Sequence, residues 1–486
     1  MRNLTLMTDL YQLTMGYGLF KKNKHEQVVV FDLFFRRNKQ ITYSIAAGLE
    51  QAVEYLLGWR FDEEDIDYLR GLDLFDEEYL AYLKTMRFTG DLYAVKEGEP
   101  VFPSEPILTI KAPVLQAMFA ESALLNIVNH QTLIATKAAK ICRAAGDGTV
   151  MEFGLRRAQG PDAGIYGARA AIIGGCASTS NVYAAKKFGV PVSGTMAHSW
   201  VMSYESEYAA FRAYADVFPD NCLLLVDTYD TLNSGMPNAI KVFKELSAAG
   251  HRPKGVRLDS GNYASLSKQV RKILDDEGFM DAVICASGDL EEHAITALRH
   301  EGARIDCWGV GTRLITSESM PSLGGVYKMS AMMDEKGNLV PKIKLSNTTE
   351  KITNPSFKRL YRLYDNDGGK ALADLLTTRE DVIDETQPLT IFHPVDRWKK
   401  FTVRNFRAEE LQHAIIEKGK VVYEFPTLME IQAYSKERLN SFWGEYLRLD
   451  MPQTYKVDLS QHLLDLKVAM IAERFEEKLN EGELHV

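Results

Sequence analysis

Between about residues 149 and 310 the chain alternates between two textures. Short β-rich apolar runs, at 149–153, 190–194, 223–227, 255–259, 282–286 and 305–310, each end in small or polar residues. Stretches with apolar residues at helical spacing lie between them, at 163–173, 205–217, 237–249, 263–276 and 290–300. Apolar runs bounded by turn residues read as fully buried strands, and strands alternating with helices imply a parallel sheet. The strand ends recur mostly at roughly thirty-residue intervals, the length of one βα unit. Six such units predict a closed or nearly closed, TIM-like α/β barrel, although an open doubly wound sheet gives the same local pattern.

The flanks read differently. Residues 1–135 mix helical stretches (49–57 and 118–141) with strand-like pieces (28–35, 90–95 and 106–110). The turn clusters G-E-P at 98–100 and P-S-E-P at 103–106 punctuate the latter. The expected organisation is an N-terminal α/β domain over 1–135, completed by residues after the barrel, and a barrel over 136–335. Residues 336–486 then form a basic loop region and a C-terminal extension. The loop region carries Lys342, Lys344, Lys351, Lys358, Arg359 and Arg362.

Composition narrows this further. A chain of 486 residues predicts two or three domains, and 46% apolar with 25% charged residues is an ordinary globular balance. Acids outnumber Lys and Arg by 66 to 57, a net charge of −9 that argues against general affinity for nucleic acid. The cysteines, Cys142, Cys176, Cys222, Cys285 and Cys307, are scattered, odd in number and never spaced C-x-x-C. They read as reduced thiols in a reducing compartment. Asp9 and Gln12 interrupt the N-terminal region where a secretory signal needs an unbroken apolar core. No apolar run approaches the roughly 20 residues of a membrane span. The cytoplasm is the expected location.

The polar residues of the central third sit just after the predicted strands, where parallel α/β proteins place their sites. They include Arg156 and Arg157, Ser178 to Ser180, Thr195 and His198, and Asp227 and Asp230. Arg257 with Asp259 and Ser260, Gly288 with Asp289, and Gly309, Gly311 and Thr312 follow. Collected on one face of a barrel, they suit a phosphorylated sugar with a magnesium ion. Arginine grips phosphate in a fork, carboxylates hold hydroxyls or metal, and glycine lets backbone N–H groups close on phosphate. Each alone has a plainer reading. G-V-G-T at 309–312 also reads as a tight turn, Ser260 as a helix cap and His198 as a satisfied interior histidine.

Taken together the motifs are more specific. T-D-L-Y-Q-L-T-M at 8–15, E-F-G-L-R-R-A at 152–158 and G-T-M-A-H-S-W-V at 194–201 resemble the nicotinate phosphoribosyltransferase family. So do V-D-T-Y-D-T at 226–231, V-R-L-D-S-G at 256–261 and G-V-G-T at 309–312, all in family order. The resemblance implies a type II phosphoribosyltransferase: an irregular α/β barrel, an N-terminal α/β domain, a C-terminal extension, and a homodimer whose sites are completed across the subunit interface. It implies transfer of phosphoribose from 5-phosphoribosyl diphosphate to nicotinate, coupled to ATP, with magnesium.

The resemblance also distributes roles. His198 matches the histidine that ATP phosphorylates, and Asp227 is the carboxylate expected to orient its other ring nitrogen. Arg257 and Thr195 match nicotinate contacts, with Arg156 beside them; Tyr11 of the partner and Phe153 would sandwich the pyridine ring. Thr312 with Gly309 and Gly311 matches the 5-phosphate site. Gly288 and Asp289 lie at the next strand end, and Asp259 and Asp289 would hold ribose hydroxyls or magnesium. Arg37, Lys344, Lys351 and Lys358 are further candidate phosphate ligands. Ser180 stands where related nicotinamide enzymes place an aspartate. It can donate to a substrate carboxylate and also reads as a cap of the following helix, two compatible roles. Serine there disfavours a nicotinamide enzyme, and the histidine motif disfavours a quinolinate-type relative. A catalytically dead binding protein would have shed some of these strand-end groups.

Overall fold

The structure, a computed structural model, describes residues 2–37 and 42–480. The chain divides into two compact units. The first combines Met1–Thr132, Ser322–Pro426 and Tyr434–Val486; the second combines Leu133–Pro321 and Thr427–Ala433.

In the first unit the strand Val28–Phe35 is apolar at nearly every position and lies near the middle of an antiparallel seven-stranded sheet. It pairs with Gly325–Met333 on one side and Leu108–Pro113 on the other. Its one acid, Asp32, is buried, accepting from Lys358 Nζ at 2.7 Å and Thr109 Oγ1 at 2.7 Å. Lys358 also donates to the Asn354 and Ser356 carbonyls, so this candidate phosphate ligand is instead a buried structural cation. The helix Leu10–Lys21 turns Leu13 and Gly16 inward and leaves Leu10, Tyr11 and Met15 exposed.

A second sheet of the same unit contains Arg359–Asp365, Ala371–Thr377 and Val457–Leu459. Arg362, fully buried, lays a two-pronged bond on Asp374 at 2.8 and 2.6 Å, reaches the Pro100 carbonyl at 2.7 Å and pairs with Glu99. Removing one partner of such an ion pair strands the others. Arg362→Met is therefore expected to destabilise this unit by about 3–5 kcal/mol, read as an earlier urea transition in far-ultraviolet circular dichroism. An unmoved transition would show that the network contributes little.

The second unit holds a six-stranded, all-parallel sheet. Its spatial order is Ser178–Thr179, Thr149–Glu152, Cys307–Val310, Val283–Gly288, Gly255–Leu258, Leu223–Leu225. The first of these strands in the chain thus pairs with the last. The two ladder edges, Ser178–Thr179 and Leu223–Leu225, are consecutive in the chain. Leu224, Val256 and Ile284 have no exposure and share a core with helix residues. Ala239, Val242, Phe243 and Leu246 supply it from Met236–Ala248, and Val270 and Leu274 from Tyr263–Asp276, at helical spacing. Each fully buried aliphatic side chain of this size stabilises the fold by about 1.5–3 kcal/mol.

One expected strand differs. Residues 190–194 form only an isolated bridge, Thr179 to Val192. Thr179 donates its N–H to the Pro191 carbonyl and accepts from the Ser193 N–H, but Pro191 has no N–H with which to extend the ladder. Ser178–Thr179, which the sequence reading placed among the polar residues just after the strands, is itself a strand of the sheet. Among the described residues no helix is long and apolar enough to cross a membrane, and all five cysteines are free thiols.

Candidate functional site

Because all six strands of the second unit run parallel, their C-terminal ends share one edge of the sheet, and the side chains just beyond them are brought together. The centre is Arg257, near the end of Gly255–Leu258. Its Nε donates to Ser287 Oγ at 2.7 Å and its Nη2 to Asp259 Oδ1 at 2.7 Å. Its Nη1 donates to Thr195 Oγ1 at 2.7 Å and to the Met196 carbonyl at 3.2 Å. A guanidinium has five N–H donors, so one is left for a ligand. Ser287 also donates to Asp259. Burial acts to raise the Asp259 carboxyl, but hydrogen bonds from Ser287 and Arg257 and the Arg257 charge outweigh it. Asp259 is held below the usual carboxylate range.

His198 lies next to this pair with a partly exposed ring. Nε2 is 3.5 Å from Asp259 Oδ2, and Nδ1 is 3.1 Å from Thr228 Oγ1. Asp227, expected to orient the imidazole, is turned elsewhere: its Oδ2 accepts from the Asp259 N–H at 2.9 Å and from Ser260 Oγ at 2.6 Å. Asp227 thus steadies the turn carrying Asp259, while Thr228 and Asp259 hold the histidine. Ser260 is not a cap, since the helix Tyr263–Asp276 is capped by Asn262, whose side chain accepts from the Ser265 N–H.

On the other side of the sheet edge Phe153 follows Thr149–Glu152. A Cβ on Gly309 would stand 2.7 Å from two carbons of the Phe153 ring. Gly309 therefore clears a seat for an aromatic ring rather than for phosphate. Gly311 passes close to the Phe153 backbone, and Thr312 opens a short helix, Thr312–Ile315. Gly288 adopts φ +121°, which L side chains rarely tolerate, where the chain turns past the Tyr263 hydroxyl to the exposed Asp289. Arg156 is exposed on a single 3₁₀ turn, Leu155–Arg157.

Glu152 was not singled out by sequence reasoning, because a carboxylate one residue before a strand end looks like part of the motif around it. It is fully buried, and burial raises its carboxyl despite hydrogen bonds from Thr179 and Gly154. Thr179 Oγ1 donates to it at 2.6 Å, and the Gly154 N–H also donates to it. The Ser180 N–H donates to its backbone carbonyl at 2.9 Å. Glu152 thereby ties the Phe153 turn to the Ser180 turn. Ser180 does not cap the next helix; Asn181 does, accepting from the Ala184 N–H at 3.1 Å. Ser287, a hydroxyl with no motif of its own, and Thr228, which stands beside Asp227 in the V-D-T-Y-D-T motif, also carry no role in the sequence reading.

Tyr11, Arg37 and Lys344 belong to the first unit. Tyr11 is 47% exposed. Arg37 donates to Thr454 Oγ1 at 2.6 Å, and Lys344 is exposed apart from backbone bonds with Thr353. Among the described residues no group of three or more His, Cys, Asp or Glu side chains is arranged to hold a metal. The strand-end cluster offers a cationic, hydrogen-bond-rich seat beside an aromatic face and a histidine held by a carboxylate. That set can bind a flat anion, receive a phosphoryl group and stabilise developing charge.

Comparison with known proteins gives a consistent result along the whole chain. Residues 6–129 match the nicotinate phosphoribosyltransferase N-terminal domain, 149–367 the nicotinate phosphoribosyltransferase family and 357–467 the nicotinate phosphoribosyltransferase C-terminal domain. The chain is 47% identical over 485 residues to the nicotinate phosphoribosyltransferase of Bacillus subtilis, covering 99% of this chain and 98% of that protein. It is 32% identical to the Homo sapiens nicotinate phosphoribosyltransferase, covering 96% of each. Its fold is similar to a crystal structure of human nicotinic acid phosphoribosyltransferase, with a TM-score of 0.84 at 30% identity, covering 95% of this chain and 99% of that one.

Proposed function

The chain belongs to the nicotinate phosphoribosyltransferase family of NAD biosynthesis, and from that premise we propose how its residues perform the reaction. The observation that carries the proposal is the Arg257 cluster: a guanidinium fixed by Asp259, Ser287 and Thr195, with one donor left over. The remaining donor takes the nicotinate carboxylate, and Phe153 lies along the pyridine ring. The pyridine nitrogen attacks C1 of 5-phosphoribosyl diphosphate, and the bond from C1 to the diphosphate oxygen breaks with inversion. Nicotinate mononucleotide and pyrophosphate are released. Charge spreads over C1 and the ring oxygen in the transition state, so the protein's task is to position the nucleophile and neutralise the leaving group. Gly311 and Thr312 take the 5-phosphate.

Magnesium takes few protein carboxylates when substrate phosphates complete its shell. Asp289, exposed at a strand end, and Asp259 suit that role. There the ion would offset charge on the departing diphosphate.

His198 accepts the terminal phosphoryl group of ATP: a bond forms from a ring nitrogen to phosphorus as the bond to the ADP oxygen breaks. Hydrolysis of phospho-His198 then drives the transfer forward. The half-exposed ring, steadied by Thr228 and Asp259, supports this assignment. The pairing of the first strand with the last in the second unit supports an irregular barrel. The free thiols support a cytoplasmic setting. Assays of purified enzyme with nicotinate or nicotinamide, each with and without ATP, test the whole reading. Equal use of nicotinamide, or indifference to ATP, would overturn it.

We assign selectivity to Ser180, whose hydroxyl is not consumed by capping. Ser180→Asp would set a second anion against the substrate carboxylate, at about 2–4 kcal/mol. The expected result is a fall of roughly 30- to 1,000-fold in kcat/KM for nicotinate, with nicotinamide use falling less or rising. An unchanged ratio between the two acceptors would place discrimination elsewhere.

Leu10, Tyr11 and Met15 present an exposed apolar face, which supports a homodimer in which Tyr11 serves the partner's site. Mixed Tyr11→Ala and His198→Ala subunits are then expected to regain activity that neither parent has. No recovery, with subunit exchange verified, would mean that each chain builds its own site.

A further inference from the structure

Four of the five cysteines, scattered along the sequence, are brought together in the second unit as two thiol–thiol contacts. Cys142 meets Cys176, and Cys285 meets Cys307. In each pair one thiol is buried and the other partly exposed. The proposed reaction uses none of them. Cys285 and Cys307 face one another in register on the neighbouring parallel strands Val283–Gly288 and Cys307–Val310. Such strands run about 4.8 Å apart, inside the roughly 4.4–6.8 Å over which a disulfide joins two Cα atoms. Two residues along, on the same face, Ser287 is in register with Gly309. A Cβ on Gly309 would lie 3.2 Å from the Ser287 Cβ. Side chains of this face therefore converge across the ladder, and two facing thiols need no large backbone movement to bond.

The two thiols are unequal. The hydrogen bond with Cys307 and burial push the Cys285 thiol up, with the Arg257 charge acting the other way. Cys285 is therefore the thiol that keeps its proton. Cys307 is partly exposed, so it is the sulfur that an oxidant in solution reaches first. Both lie directly under the strand-end cluster. Arg257 is in register with Cys285 on the next strand. Ser287, two residues after Cys285, bonds both Arg257 and Asp259, and Gly309, two residues after Cys307, clears the seat of Phe153.

We propose that Cys285 and Cys307 close to a disulfide on exposure to a hydroperoxide, and that closure disarranges the strand-end seat above them. The Cys307 sulfur attacks the terminal peroxide oxygen and the O–O bond breaks. An alcohol, or water from hydrogen peroxide, leaves with the thiol proton, and Cys307 becomes a sulfenic acid. The Cys285 sulfur then attacks the Cys307 sulfur, and the hydroxyl departs as water with the Cys285 proton. Two thiols thus give two electrons to one peroxide, and a dithiol reductant reverses the change by exchange. Bonded sulfurs stand closer than sulfurs in contact, so closure draws the facing residues together, and Ser287 and Gly309 follow. A displacement on the order of 1 Å at a reacting site costs about 100-fold in rate. This consequence rests on the Arg257 seat proposed above; formation of the disulfide does not.

The test treats the reduced full chain with hydrogen peroxide and maps its disulfides by mass spectrometry of a digest made without reductant. The expected result is a linked pair of peptides holding Cys285 and Cys307. It is accompanied by a fall of at least about tenfold in kcat/KM for nicotinate, and dithiothreitol reverses both. Cys307→Ser and Cys285→Ala are expected to keep the untreated kcat/KM within about twofold and to resist reversible inactivation. Cys142→Ala, which breaks the other thiol contact, is expected to stay as sensitive as the parent. The mapping uses the parent alone, so it decides the matter even where a variant fails to fold. No link between Cys285 and Cys307, or a link formed with activity intact, would overturn the proposal. So would a loss of activity that Cys142→Ala abolishes, because the other pair would then be responsible. Arg257→Ala reads the seat without oxidation, which separates failure of the seat from failure of the thiol pair.

Discussion

His198→Ala is expected to take up no phosphate from ATP and to lose nicotinate-dependent ATP turnover. In the parent the label should be acid-labile and alkali-stable, as a phosphorus–nitrogen bond requires. The geometry makes His198 a suitable acceptor because one ring nitrogen faces Asp259 Oδ2 at 3.5 Å while the other is held by Thr228. A carboxylate beside the ring also stabilises the cationic form that develops when phosphate is transferred. Residual transfer to nicotinate in the absence of ATP is compatible with this role, because the strand-end seat is otherwise intact. Label persisting on the Ala variant would sink the assignment.

Arg257→Ala is expected to lower kcat/KM for nicotinate more than any other single change around the seat. It removes four hydrogen bonds and leaves Asp259, half-buried, without its cation. Truncating one partner of a desolvated charge pair costs about 2–5 kcal/mol, or roughly 30- to 5,000-fold. Arg257→Lys is expected to recover little, since a point charge cannot span Ser287, Thr195 and Asp259 together. The pH profile adds a sign. In the parent, Ser287 and Arg257 overcome burial and keep Asp259 ionised below the usual carboxylate range. Without Arg257, burial gains weight, the carboxyl rises, and the acid limb of activity moves to higher pH. An acid limb that stays in place would mean that Arg257 does not set the Asp259 charge.

Much of the scaffold is visible in the sequence because its signals are local. The strand-like piece at 28–35, apolar but for Asp32, is the strand Val28–Phe35, and the helical spacing at 49–57 is the helix Leu49–Leu57. Strand ends in the second unit could be read because each pairs an apolar run with polar residues, as at Arg257 and Asp259. What eluded the sequence depends on neighbours distant along the chain. Asp227 and Thr228 are adjacent, and only the direction each takes leaving the strand decides which of them meets His198. Gly309 reads as a phosphate turn until the Phe153 ring is seen to lie against it. Lys358 sits in a basic stretch that reads as surface, yet Asp32 buries it. Glu152 could be recognised as a tie only once Thr179 and Gly154 were known to converge on it.

The interrupted make-up of the first unit has a consequence for biogenesis. Val28–Phe35 leaves the ribosome early, yet its partner Gly325–Met333 emerges only after Leu133–Pro321, most of the second unit, has been translated. At typical elongation rates that delay is on the order of tens of seconds. During it, a long, nearly uncharged strand lacks one of its neighbours, a hazard for pairing with other nascent chains. The contiguous Leu133–Pro321 segment suffers no comparable delay and can collapse as it appears. Nascent-chain quality control should therefore bear most heavily on the N-terminal segment, and premature termination before Gly325 should yield a product that holds all of the second unit but Thr427–Ala433, joined to an unfinished, aggregation-prone first unit.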